Sequence, residues 1–245
     1  EIKFNNLKIE NRKNYNAVIG DFNIKDFQRN YLKKLNPEIR VYDNPQTLTF
    51  ESAINTNLKQ DIYLTMSNID GSDLQCVTSS LDQTPSSAFW ASNSSGVYFN
   101  VREYGQSNVY YADLRGKLKK ITDGNHMLSM NDLVGNNAVA TWTDPSNPSD
   151  IVTFSIEKSK NIKRLTNVNE DIFYDVEFGK VEEITYKSVD GKTVQGWIVK
   201  PPHFNSNKKY PLVLRIHGGP HSMYHVGFNY NFQMHAAQDQ VVLYT

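Results

Sequence analysis

The chain has 245 residues, with 26 basic and 26 acidic side chains and a formal charge of zero. That balance gives no electrostatic case for nucleic acid or an anionic membrane as partner. One cysteine, Cys76, excludes an internal disulfide framework and any multi-thiolate metal site, and no apolar run approaches the roughly 18 residues a membrane-spanning helix needs.

At about 150 residues per domain the length suits one large domain or two small ones. The opening Glu1-Ile2-Lys3-Phe4-Asn5-Asn6 has no apolar leader core. With the lone cysteine this leans toward the cytoplasm and leaves the compartment open. Ile24, Phe27, Tyr31 and Leu35 fall at helical spacing, with Asn36-Pro37 as a stop. Residues 1–45 are therefore expected to be a helix or a degenerate copy of the repeat that follows.

Thr47-Leu48-Thr49-Phe50 reads as a strand leading into that repeat. Val77-Thr78, Ile121-Thr122 and Leu165-Thr166 recur at intervals of 44 residues. Each ends a pattern of strand, tight turn and strand. The copies run from Asp61 through Asp70-Gly71 to Thr78, from Asn108 through Arg115-Gly116 to Thr122, and from Asp150 through Lys158-Ser159 to Thr166. Upstream of the second copy lie strand candidates Ala88–Ala91 and Gly96–Val101, and upstream of the third Asp132–Val134 and Ala138–Thr143. Four strands per 44 residues is the unit of a β-propeller; the alternative is an antiparallel sandwich with accidental spacing.

The rhythm breaks after Thr166. Glu183–Ser188 and Thr193–Val199 form a hairpin around Asp190-Gly191, a pair expected to place both residues at positive φ. Leu212-Val213-Leu214-Arg215-Ile216 is nearly all apolar and reads as a strand buried on both faces. Gly218-Gly219-Pro220 stops it, Phe228, Phe232 and Ala236 repeat every four residues as in a helix, and Val241–Tyr244 is another buried-type strand.

Val199-Lys200-Pro201-Pro202 and the run Tyr210-Pro211-Leu212-Val213-Leu214-Arg215-Ile216-His217-Gly218-Gly219-Pro220-His221 resemble the prolyl oligopeptidase family of serine peptidases, in its acylaminoacyl-peptidase and dipeptidyl-peptidase branch. The likeness is specific over residues 181–245 and generic over the repeat. It implies a partial β-propeller followed by the N-terminal portion of an α/β-hydrolase domain. Residues 1–45 would be the N-terminal segment, 46–178 the blades and 179–245 the start of the peptidase domain. It further implies that Gly219 offers its backbone N–H to an oxyanion, with Gly218 and His217 shaping that loop. The family's G-x-S-x-G nucleophile elbow has no match here. Nucleophile, Asp and His are expected to lie outside this chain, which alone should be inactive.

His217, His221 and His225 are spaced by four, but glycines between the first two forbid a shared helix; no metal or cofactor is expected. Glu182-Glu183 reads as a solvated strand end. Cys76 reads as an inert buried thiol. Asn93-Ser94-Ser95 is a bare glycosylation acceptor pattern, and Lys117, Lys119 and Lys120 form an exposed strand face. The expected partner is a peptide substrate, with homo-oligomerisation open. Two functions stand: a segment of a serine peptidase whose propeller limits access to short peptides, or a non-catalytic propeller module that binds a partner protein.

Overall fold

A computed structural model of the chain describes residues 46–54, 60–159, 161–218 and 222–245. The helix expected around Ile24–Leu35 lies outside these residues. The described residues fall into two compact units, those within 46–47 and 66–74 in one and those within 48–65 and 75–245 in the other. The chain is mainly β.

Among the described residues three sheets follow one another in sequence. The first has β1 (Gln46–Ile54), β2 (Gln60–Asn68) and the short β3 (Gln75–Cys76), in that order. The second consists of two antiparallel meanders. One is β4 (Pro85–Trp90), β5 (Gly96–Glu103), β6 (Gln106–Asp113) and β7 (Leu118–Lys120). The other is β8 (Met127–Val134), β9 (Asn137–Asp144), β10 (Asn147–Ser155) and β11 (Lys163–Arg164). A parallel bridge between Ser107 and Met127 links them.

The strands form because their apolar residues alternate. Val97, Phe99 and Val101 of β5 are fully buried, and so are Leu128 of β8 and Val152 of β10. β8 begins already at Met127, upstream of the expected Asp132, because Leu128 and Met130 continue the inward alternation.

The recurring threonine is a structural device. The backbone N–H of Leu64 donates to Thr78 Oγ1 at 2.8 Å, that of Val109 to Thr122 Oγ1 at 2.8 Å, and that of Ile151 to Thr166 Oγ1 at 2.9 Å. The preceding residue completes each clasp: Val77, Ile121 and Leu165 donate to the carbonyls of Leu64, Val109 and Ile151. Each last strand is too short for a long ladder, so the hydroxyl satisfies a backbone donor, one that in the first two copies would otherwise be buried unpaired. In the third copy Thr166 also donates to Asp150, which pairs with Arg164 and accepts from the Val168 N–H.

The meanders are tied by buried polar side chains. Asn100, 1% exposed, donates to the Leu128 carbonyl at 2.7 Å and accepts from the Met130 N–H at 2.8 Å. Ser107 Oγ donates to the same carbonyl at 2.7 Å.

After the single-turn helix α1 (Glu170–Phe173) comes a four-stranded sheet. Its strands are β12 (Lys180–Lys187), β13 (Thr193–Lys200), β14 (Leu212–Arg215) and β15 (Val241–Tyr244), ordered β12-β13-β15-β14. β14 and β15 are parallel, as the connection through helix α2 (Tyr230–Ala237) requires, and β13 runs antiparallel to both its neighbours. Asn229 caps α2 by accepting from the Phe232 N–H at 3.1 Å. From α2 the buried Gln233 amide accepts from the Gly179 N–H and donates to its carbonyl. That clamp fixes the point where the third sheet begins.

Three expectations are corrected. At the β12–β13 turn only Gly191, at φ 78°, is left-handed; Asp190 is not, because Gly191 N–H closes onto Ser188 within a longer loop that ends at Lys192. Strand β14 is not buried on both faces. It is an edge strand, and Leu212, Leu214 and Ile216 are exposed, because within the chain α2 packs on β13 and β15. Cys76 lies in a strand, as expected, yet is exposed rather than buried, because its two-residue strand has both side chains outward.

Candidate functional site

The candidate site lies where β14 ends. The chain leaves the strand at Ile216 and turns through His217 and Gly218; Gly219, Pro220 and His221 lie outside the described residues. Gly218 is exposed, and a Cβ placed on it would meet nothing within 4 Å. Among the described residues nothing obstructs its backbone beyond the carboxyl end of a strand, where open α/β sheets bind ligands.

His217 is half-buried. Its Nδ1 lies 2.9 Å from the Gly218 carbonyl, and its ring meets Tyr224 edge-on at 5.7 Å. Tyr224 in turn packs edge-on against Tyr244 at 5.3 Å and Phe232 at 6.0 Å, and Tyr244 stacks on Trp197. β13, β15 and α2 therefore each contribute one ring to a wall behind His217. Burial pushes the Tyr244 phenol well above its ordinary range. That wall was not read from sequence: Phe232 was assigned to a helix and Tyr244 to a strand, but nothing in their spacing placed Tyr224 or Trp197 beside them.

The segment after the loop is held by the second sheet. Val226 N–H donates to the Gly105 carbonyl at 2.9 Å, and Phe228 N–H to Thr143 Oγ1 at 3.1 Å. His225 accepts from the Gly227 N–H through Nδ1 at 3.1 Å. Burial first and the nearby Arg102 second lower its pKa, which keeps it neutral and able to accept.

The remaining candidates have local roles. Glu182 pairs with Lys200 and Lys180, which hold its carboxyl below the usual range, and Glu183 accepts from Gln195. Asn93 accepts from Ser95 N–H and Oγ within its turn. Lys120 pairs with Glu103 and Asp123. Among the described residues no group of His, Cys, Asp and Glu could hold a metal ion. A cavity of about 210 Å³ lies between Arg164 and the Phe173, Tyr174 and Phe178 side chains, but Arg164 is committed to Asp150, Asn147 and Asn167.

Comparison with known proteins bears on this arrangement. A family model described as the CcmF C-terminal beta-sandwich matches residues 1–79. The uncharacterized peptidase YuxL of Bacillus subtilis is 32% identical over 160 residues, which cover 63% of this chain and 24% of that protein. Dipeptidyl-peptidase 5 of Porphyromonas gingivalis is 28% identical over 157 residues, 63% of this chain and 23% of that protein. The fold matches the Pyrococcus horikoshii acylaminoacyl peptidase at a TM-score of 0.67 and 21% identity, over 82% of this chain and 31% of that one. In sequence and in fold the chain is thus similar to parts of these peptidases. It spans about a quarter of the length of the curated relatives named. The matches to peptidases agree in fold and sequence, and the CcmF match, confined to 79 residues, lies largely outside the described part.

Proposed function

We propose that this chain is part of a serine peptidase acting on short peptides through an acyl-enzyme. The two meanders, with the three-stranded sheet before them, are read as propeller blades within residues 46–178, residues 1–45 as an N-terminal segment, and 179–245 as the start of the α/β-hydrolase domain. The observation that carries the reading is the loop after β14. A glycine backbone, unobstructed at Gly218, follows a strand parallel to β15 and is backed by an aromatic wall. Gly219 N–H would donate to the oxyanion of the tetrahedral intermediate, with His217 and Gly218 shaping the loop. One such donor is worth about 2.7–4 kcal/mol of transition-state stabilisation.

In this reading nucleophile, general base and its orienting carboxylate come from outside these 245 residues, and the propeller limits which peptides enter. The test is a serine-reactive phosphonate on the intact polypeptide that carries this chain. It should label one serine and abolish hydrolysis of short peptides in parallel. An intact polypeptide that neither takes the probe nor cleaves any peptide would be a binding module instead.

A further inference from the structure

The β5–β6 turn departs from what its sequence favours. Glu103 pairs with Gln106, leaving a two-residue loop, Tyr104-Gly105, with φ of 48° and 72°. Such turns prefer Asn-Gly or Asp-Gly, and a bulky residue at positive φ is strained. Tyr104 does not recover this by packing its ring, which is 75% exposed. What the turn does contact is the third sheet. The Tyr104 carbonyl accepts from Gln195 Nε2 at 3.1 Å, the Gly105 N–H donates to Met223 Sδ at 3.4 Å, and the Gly105 carbonyl accepts from Val226 N–H at 2.9 Å. A Cβ on Gly105 would lie 2.4 Å from Trp197 Cζ2 and 2.5 Å from Cη2. Glycine is required twice over, for its φ and for the closeness of the indole.

The contacts converge on the stretch that carries Tyr224, the ring on which His217 rests. We propose that the Tyr104-Gly105 turn is a positioning element: docked between Trp197 and residues Met223–Val226, it fixes Tyr224 and thereby His217 and Gly218. This rests on the peptidase reading for its consequence in catalysis, and on geometry alone for the docking. Gly105 touches no substrate. It acts through Tyr224, and strain held in a turn is accounted for where the surrounding contacts over-determine it.

The experiment uses the intact polypeptide with Gly105→Asn, Gly105→Asn combined with Trp197→Phe, and Gln195→Ala. Asn accepts positive φ, so the single variant isolates the clash with the indole, and Phe removes the outer ring atoms that cause it. Hydrogen exchange at residues 223–228 should quicken in Gly105→Asn and in Gln195→Ala, with β8–β10 unchanged, and slow again in the double variant. With a short peptide, kcat should fall in Gly105→Asn, up to about 100-fold for a misplacement near 1 Å, with KM little changed, while the double variant is read by exchange alone. Exchange and kcat both unmoved in the folded Gly105→Asn protein, or no recovery on relieving the clash, would overturn the proposal. Should Gly105→Asn not fold, unaltered exchange in Gln195→Ala would do so. A wild-type polypeptide without peptidase activity would sink the functional reading, while the exchange data would still decide the docking.

Discussion

Asp150 shows how one side chain can hold a repeat closed. It is buried, which by itself disfavours its charge. Hydrogen bonds from Arg164, Thr166 and the Val168 N–H outweigh that cost and hold its carboxyl below its ordinary 3.8. The folded pKa lies below the unfolded one, so its contribution is complete above pH 3.8 and is lost as pH falls through the depressed value. In Asp150→Asn the acid-side loss measured by urea unfolding between about pH 4 and 2 should shrink. His126 and His225 act at higher pH. Burial is the first cause holding each below 6.5, and His126 Nε2 has no hydrogen-bond partner among the described residues. Their contribution is present above pH 6.5 and declines as pH drops through the lowered values, so stability should already weaken below that point. His126→Phe should remove part of that first decline. Tyr104→Asn should raise stability by about 1 kcal/mol, read as a higher Tm, because Asn tolerates the left-handed region that an exposed tyrosine occupies at a cost.

At the scale of elements, the threonine clasp and the Asn100 bridge do what longer strands would otherwise do. Thr122→Val leaves the Val109 N–H without its acceptor in a buried place and should cost about 1–3 kcal/mol by denaturant unfolding, whereas Thr122→Ser should keep most of it. Asn100→Leu strands the Met130 N–H, while Ser107 still serves the Leu128 carbonyl, and should cost a similar amount. Gln233→Glu keeps the acceptor for Gly179 N–H but loses the donor to its carbonyl, so the clamp at the start of the third sheet should weaken. The hairpins show where local sequence misleads. Asp190-Gly191 has the composition of a two-residue turn but sits in a longer loop, while Tyr104-Gly105, which lacks it, makes that tight turn. Packing against Trp197 decided the second, and no local signal reports a partner 92 residues away.

For the whole molecule, the exposed edge at β14 matters most. Leu212, Leu214 and Ile216 present an apolar strip beside a ladder that no described strand pairs, which favours pairing with another chain. The 245-residue polypeptide expressed alone should self-associate with rising concentration in light scattering, and Leu214→Lys should shift it toward monomer. A monodisperse, cooperatively unfolding monomer at high concentration would contradict this.

The sequence by itself determined the strands, the period and the likeness to known peptidases. Alternation of Val97, Phe99 and Val101 and the 44-residue return of threonine are local or periodic, and periodic signals survive in one dimension. The Pro-Pro, the apolar strand and His217-Gly218-Gly219-Pro220 marked the candidate loop only together and by resemblance, because glycines after a strand by themselves make an ordinary turn. Only the tertiary structure decided that β14 is an exposed edge, that Cys76 faces outward, that Asn100 ties two meanders, and that Gly105 meets Trp197. Each of these depends on which distant surface arrives beside a residue. Burial and close approach are properties of pairs of segments, and a single segment does not encode its neighbour.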